Sequence, residues 1–382
     1  MNTENDNNKE INNEANGATG ETSPVTSNLT PISNDTSRPA DPFATVGPPP
    51  HGPKKRSRWH WLWIAAAGLL VVMFLVNLSI EFFWRSGPIE ASHVDTNRFE
   101  VSEINRLTTD LSVVRTQVRT HNGNEIIVRF DAPNRGRYMR PRWNLNDDGT
   151  LHIYSERYTW RSVRIMSLPL NLGGVLNIYL PSNMAQPLDF FSLRTSTGRI
   201  ELNANLNIAN TVTAQTSTGR IEANGFSADR VEIRATTGRV EVSNITAETI
   251  DIITSTGRIE ARHLTAVNSL RISATTGRVE AANITTETVN VSTSTGRISL
   301  DFVEAARLDA SATTGRIEMR RSNIAGDAAL NTSTGRVDIS GGSIGGWLTA
   351  RTSTGRIELS GVDVDMNRAT LSTNTGRIRT NR

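Results

Sequence analysis

Apolar and polar residues alternate along most of the second half of the chain. In Val231-Glu-Ile-Arg-Ala235 every second residue is apolar, and Arg239-Val-Glu-Val242 resumes the alternation after a Thr-Gly pair. A period of two is typical of β-strands that bury one face. The same signal occurs earlier in the chain, in residues 111–114, 125–128, 150–154 and 175–180. The pattern predicts an all-β protein.

The alternation is organised by a repeat. A Thr-Gly-Arg triplet occurs ten times at intervals of 19 to 21 residues, with its glycine at positions 198, 219, 238, 257, 277, 296, 315, 335, 355 and 376. So regular a period is typical of a solenoid, in which one coil cannot bury its own apolar face. The residue after each Arg is Ile or Val. Stacked coils would bury these side chains in one column, each contributing about 1.5–3 kcal/mol. We therefore predict a β-solenoid, similar to a β-helix, with coils of about 20 residues.

The charges of the repeat predict two columns on the outside of the solenoid. The residue two positions after each Arg is acidic in eight of the ten copies, and the exceptions are Ser299 and Arg379. Arg side chains stacked about 4.8 Å apart would repel one another by about 0.9 kcal/mol per pair in water. A neighbouring acidic column offsets much of that repulsion. The first interpretation of the motif is therefore structural.

The N-terminal part has a different composition. Residues 1–58 are polar, rich in Asn and Pro, and without apolar periodicity, which predicts a disordered tail. An apolar run from Leu62 to Phe83 follows, flanked by Trp residues within the segment 59–84. A helix of about 20 apolar residues matches the hydrocarbon thickness of a bilayer, and Trp is typical of membrane interfaces. We predict one transmembrane helix over 59–84.

Basic residues around Lys54 and Arg58 precede the apolar run, which predicts a cytoplasmic N-terminus and an extracytoplasmic C-terminal part. The chain would then be a single-pass protein of the plasma membrane. Its predicted organisation is a cytoplasmic tail (1–58), the membrane helix (59–84), a polar stalk (85–108), irregular N-terminal coils (109–194) and the ten repeats (195–382).

Two stretches resemble a known family. Gly174-Val-Leu-Asn-Ile-Tyr-Leu-Pro-Ser182 is similar to a strand that ends in a Pro turn, and Leu193-Arg-Thr-Ser-Thr-Gly-Arg-Ile-Glu201 opens a series of short coils. In these features the region from Asp110 to Arg382 resembles the bacterial "putative adhesin" family, an adhesin-like domain of unknown function. The resemblance implies a single-chain β-solenoid without catalytic residues.

Composition and motifs argue against several classes of function, among them nucleic-acid binding and catalysis. The formal net charge is only +3, so no nucleic-acid partner is expected, and the absence of Cys excludes disulfides and thiolate sites. The six His residues show no ligand spacing, and no cofactor motif occurs. Gly341-Gly-Ser-Ile-Gly345 fits the string of a nucleophile elbow but lacks its strand-to-helix context. We expect no enzyme activity; the remote alternative is a β-helix enzyme acting on polysaccharide.

Several binding hypotheses remain open beside a structural or adhesive role. The Arg column could capture an anionic surface glycan or another polyanion, with Arg239, Arg258, Arg278 and Arg297 as the candidate ligands. Ice binding by Thr is disfavoured, because the position three before the glycine should face inward. The edge of the last coil could support self-association. N-glycosylation sequons begin at Asn244, Asn283, Asn290 and Asn331.

Overall fold

The structure is a computed structural model that describes residues 91–133, 140–155, 173–184 and 186–381. The predicted tail (1–58) and the predicted transmembrane helix (59–84) lie outside these residues. Within the described ranges, no helix has the length and apolar character needed to cross a bilayer. The helical content of these ranges consists of two single 3-10 turns, Val101–Glu103 and Met366–Arg368.

Twelve strands form one sheet that winds into a solenoid, as the alternation predicted. One of the strands, β8, is an extended run of 114 residues that passes through several coils. The strands are β1 (Ala91–Glu100), β2 (Arg106–His121), β3 (Glu125–Pro133), β4 (Pro141–Leu145), β5 (Thr150–Ser155), β6 (Gly174–Pro181), β7 (Phe190–Asn207), β8 (Thr211–Ile324), β9 (Ala328–Ile344), β10 (Leu348–Ser360), β11 (Asp363–Val364) and β12 (Ala369–Asn381).

The first six strands are less regular than the repeats. β1 pairs antiparallel with β3, and β3 pairs antiparallel with β6, whereas β6 and β7 run parallel to β2. β3 follows β2 along the chain, but these strands are not neighbours in the sheet, because β6 lies between them. The segment 85–108, predicted as a polar stalk, contributes β1 and the start of β2. β1 forms the edge of the sheet, where it pairs with β3.

The repeats stack in register. Gly198 pairs with Gly219, Gly315 with Gly335, and Gly335 with Gly355, and the Arg, Ile or Val, and acidic positions pair in the same way. The predicted buried column is confirmed at nine of the ten positions, where residues such as Ile259 and Ile298 have 0% of their surface exposed, whereas Ile378 in the last coil is 41% exposed. Ile250, Ile252 and Thr254 also face inward, before the Gly corner. The core is therefore one continuous apolar interior shared by all coils.

The Thr-Gly corner requires glycine for two reasons. Gly257 has a φ angle of +152°, a backbone conformation that residues other than glycine rarely adopt. A Cβ atom on Gly257 would also lie 1.7 Å from the carbonyl oxygen of Gly238 in the preceding coil. The glycine column therefore allows successive coils to approach closely.

A second corner lies six residues after each of the eight glycines from Gly219 to Gly355. The backbone there is left-handed even where the residue is not glycine, with φ values from 48° to 55° at Asn244, His263, Asn283, Phe302 and Arg321. Asn is among the few residues that adopt this conformation at low cost. The chain returns to the core directly after this corner, since Ile245, next to Asn244, is buried.

Candidate functional site: the ladder of arginines and acids

Six of the ten arginines of the repeat contact acids in two coils. Arg220 places Nε 2.9 Å from Glu222 in its own coil and Nη2 2.6 Å from Glu241 in the next coil. Arg199 makes the same two contacts at 2.8 and 2.5 Å, to Glu201 and Glu222. The outward columns are thus joined by ion pairs along a strand and between coils. We call this surface the ladder.

Glu260 occupies the most closed part of the ladder. Its side chain is only 6% exposed, with Arg258 Nε at 2.9 Å, Arg262 at 3.0 Å and a short hydrogen bond from Arg239. The Arg258 Nε contact is an ion pair without hydrogen-bond alignment. Burial alone would raise the pKa of Glu260. The hydrogen bond from Arg239 and the charges of Arg239, Arg258 and Arg262 outweigh it and lower that pKa.

The same hydrogen bond raises the pKa of Arg239 above its ordinary value. Glu318 has a similar surrounding, because its side chain is 8% exposed and lies 2.9 Å from both Arg316 and Arg320. That arginines would hold the acid from both sides was not predicted from the sequence. The signal was present in the pattern Arg-x-Glu-x-Arg, which occurs at 258–262 and 316–320.

The ladder is interrupted at Ser299, where the acid is missing. Arg278 keeps only its own-coil partner Glu280, at 3.4 Å. Within the described part of the chain, Arg297 makes no ion pair, since its own coil offers Ser299 and Glu318 is held by Arg316 and Arg320. The loss of one carboxylate therefore removes a partner from two arginines.

A second interruption occurs at Arg379, which pairs in register with Glu358. Arg356 and Arg377 again make no ion pair to a described residue. Ion pairs are thus lost around Ser299 and Arg379, the two positions where another residue replaces the acid of the repeat. Arg356 forms no ion pair with a described residue, although Glu358 is present in its own coil.

The four arginines predicted as ligands consequently differ in the number of acids that they contact. Arg239 and Arg258 each form ion pairs with an acid of their own coil and with an acid of the next coil. Arg278 forms an ion pair only within its own coil, and Arg297 forms none with a described residue. An open depression of about 790 Å³ lies along the Gly-Arg corners of four successive coils, one of which is the coil that carries Ser299. It is lined by the glycine column and by Arg278, Arg297, Arg316 and Arg336, with Thr314 and Thr334 at its side.

A second open groove, of about 530 Å³, is lined by hydroxyl groups. Ser273 and Ser292 lie on its floor, with their Oγ atoms 3.1 Å apart. The position three before the glycine faces inward, as predicted, with Thr254 1% and Thr293 5% exposed. An outward Thr-x-Thr face of the kind that the ice-binding hypothesis needed is therefore absent from these described coils.

The sequon residues occupy different places. Asn244 and Asn283 are exposed at the left-handed corner, and Asn244 Nδ2 donates a hydrogen bond of 2.7 Å to Asn224 Oδ1. Asn290 is exposed on a strand, whereas Asn331 is half-buried in the hydroxyl groove. Glycosylation at any of the four remains a prediction.

No cluster of catalytic or metal-binding type is present in the described ranges. Among them, no group of three or more His, Asp or Glu residues could hold a metal ion. Ser343 lies at the end of β9, where its Oγ donates to Asn323 Oδ1 at 3.2 Å, and Gly345-Gly346 leads into β10 and not into a helix. The ladder is thus the most developed polar feature of the described chain.

Comparison with known proteins agrees with this architecture. The Toastrack DUF4097 family matches residues 104–269 and again 264–381. No curated protein matches the chain. Solved structures similar to it include a "putative adhesin" from Parabacteroides distasonis (8% identity, 75% of this chain and 97% of that one, TM-score 0.38). Another is a "putative adhesin" from Bacteroides fragilis (14% identity, 77% and 100%, TM-score 0.29). The two matched segments cover most of the chain, which belongs to the Toastrack DUF4097 family.

Proposed function

We propose that the protein is a membrane-anchored, non-enzymatic protein that displays its β-solenoid outside the cytoplasm, for adhesion, envelope structure or sensing. The observation that carries this proposal is the continuous core shared by all coils, which supports long outward columns of short polar and paired charged side chains. Such a surface suits extended contact better than the concave site that chemistry on a small substrate needs. The apolar run from Leu62 to Phe83 supplies the anchor.

The test of display is the topology of the full chain in intact cells. One epitope tag is placed before residue 58 and another after Arg382, and protease is added from outside. We expect loss of the C-terminal tag and survival of the N-terminal tag, because basic residues precede the apolar run.

A matched control tests whether the basic residues determine the orientation. Replacing Lys54, Lys55, Arg56 and Arg58 by Glu removes the orientation signal and should reduce the fraction of chains with an external C-terminus. Survival of both tags in the parent chain would contradict extracytoplasmic display. Loss of both tags would contradict the single span.

A second candidate function is capture of an anionic glycan by the ladder. The observation that favours it is Arg297, a charged side chain that lines an open depression and has no acidic partner in the described part of the chain. Attachment of cells to surfaces coated with neutral or with sulfated glycan separates the two candidates. An adhesin of the first kind attaches to surfaces without fixed anionic groups, whereas anion capture requires them and weakens as salt rises.

A further inference from the structure

We propose that the interruption of the ladder at Ser299 is an oxoanion-binding site, which takes phosphate or sulfate groups carried on an anionic glycan. This inference rests on the second candidate function and deepens it, because it assigns the capture to one place in the ladder. It does not depend on the orientation of the chain in a membrane.

The charge balance differs at this place. At the ladder positions, the coils of Gly277, Gly296 and Gly315 contribute three arginines, Arg278, Arg297 and Arg316, but only two acids, Glu280 and Glu318. Glu318 is also contacted by Arg320 at 2.9 Å, so it is shared between two arginines. The neighbouring pair of Asp301 and Arg321 is self-contained. Among the described residues, no carboxylate forms an ion pair with Arg297, and its positive charge is left uncompensated there.

The shape of the surface suits a tetrahedral anion. Glycine at 277, 296, 315 and 335 leaves the backbone uncovered, and the Arg side chains rise beside it around the depression. A guanidinium binds phosphate and sulfate through two parallel N–H···O bonds. Exposed hydroxyls of Thr314 and Thr334 add donors at the rim.

The spacing indicates more than one anionic group. Successive coils are about 4.8 Å apart, so the four arginines of the depression span about 14 Å. A single small anion would contact one or two of them. A chain bearing two or three phosphate or sulfate groups could contact all four, and such a ligand would gain from multivalency.

The closed part of the ladder explains why the site is local. Arg239 and Arg258 stand beside the same glycine column, yet Glu260 and its neighbours occupy their guanidinium groups. An incoming anion would have to displace a carboxylate that is already desolvated. The protein therefore contains, in the same ladder, arginines whose guanidinium groups are paired with acids and an arginine whose guanidinium group is available to a ligand.

The experiment measures binding to the full chain in detergent, with a sulfated hexasaccharide and inorganic tripolyphosphate as separate probes. We expect binding that weakens with salt and that falls about tenfold or more in Arg297→Gln, since one charge-assisted contact is lost. Ser299→Glu restores the missing acid and should cause an equal or larger loss. The control Arg258→Gln should change binding less than about twofold.

Each outcome decides the proposal. Preference for one probe identifies sulfate or phosphate as the source of the anion, and both results support the site. No binding of either probe, or undiminished binding in Ser299→Glu, overturns it. An equal loss in Arg258→Gln and Arg297→Gln also overturns the local site, while leaving capture by the whole ladder intact. Thermal unfolding of each variant shows whether a loss of binding reflects a loss of fold.

Discussion

The coils around Glu260 and the coils around Ser299 have the same backbone but different surfaces. Both have glycine corners with φ near +150° and a fully buried Ile after the Arg. Around Glu260 three arginines converge on one buried carboxylate, whereas at Ser299 the acid is absent and Arg297 has no ion pair to a described residue. The difference teaches that inward columns and glycine corners determine this fold, and that the outward charges can change independently.

The largest expected effect tests whether the core is the same in both regions. Ile259→Asp and Ile298→Asp each place a charge in an interior position that is 0% exposed. Each should lower the free energy of unfolding by several kcal/mol, about 4 or more, because the buried charge has no partner. Urea denaturation measures the loss, with Ile259→Val and Ile298→Val as controls that should cost about 0.5–1.5 kcal/mol. A much smaller effect at 298 would mean that the interruption extends into the core.

The next effect concerns the corner. Gly257→Ala and Gly296→Ala would bring a Cβ within 1.7 and 1.6 Å of a backbone carbonyl oxygen, at φ +152° and +157°. We expect each to cost about 3 kcal/mol or more, measured by thermal unfolding. The matched control is Gly225→Asn, where the nearest atom to a Cβ is 3.8 Å away and φ is +76°. Asn occupies the equivalent corner in two other coils, so a control as damaging as Gly257→Ala would contradict the close-approach explanation.

A smaller, pH-dependent effect is expected from the closed part of the ladder. Glu260→Gln should cost about 2 kcal/mol at neutral pH, because three arginines lose the carboxylate that they share. The pKa of Glu260 is lowered below its ordinary value near 4.5, so its contribution is present above that value and is lost as pH falls through the folded-state pKa.

The stability difference between Glu260→Gln and the parent chain should therefore shrink in acid. Denaturation at several pH values between neutral and strongly acidic conditions measures it. Ser299→Gln serves as the control, since it replaces a residue that makes no ion pair and should show no such pH dependence. A constant difference for Glu260→Gln across the series would show that packing, and not charge, causes the loss.

The smallest effect separates two arginines of the same column. Arg258→Gln should cost less than about 1 kcal/mol, because its side chain is 38% exposed and its ion pairs are screened. Arg297→Gln should change stability by less than about 0.5 kcal/mol, since it breaks no ion pair. The two variants are compared by urea denaturation at low and high salt. A larger cost at 297 than at 258 would refute the difference between the two regions.

The fold could be predicted to a large extent, because a 20-residue period with alternating apolar residues has few solutions. Ile259 and Ile298 follow directly from this pattern, and so does the pairing of Arg with an acid. The position of β6 between β2 and β3 could not be predicted, since short apolar strands do not specify their partners. The left-handed corner at Phe302 and Arg321 was also hidden, because neither residue is typical of that conformation.

The candidate site was predicted only in outline. Sequence alternation places Arg239, Arg258, Arg278 and Arg297 on one face, but it does not show which acid each one reaches. That depends on the length and direction of the side chains between coils, for example from Arg258 to Glu280 at 2.7 Å. Ser299 was recognisable as an exception in the pattern, yet its effect on Arg297 became apparent only from the ion pairs.

The in-register stacking of like on like has a consequence for how such a chain can change over time. Gly335 meets Gly315 on one side and Gly355 on the other, so each coil presents nearly the same surface to both neighbours. Duplication or deletion of one complete coil would therefore preserve every column, and would alter the length by about 4.8 Å. Loss of a few residues would disturb the contacts of two coils at once. Whole coils are thus the natural unit in which this protein can grow or shorten.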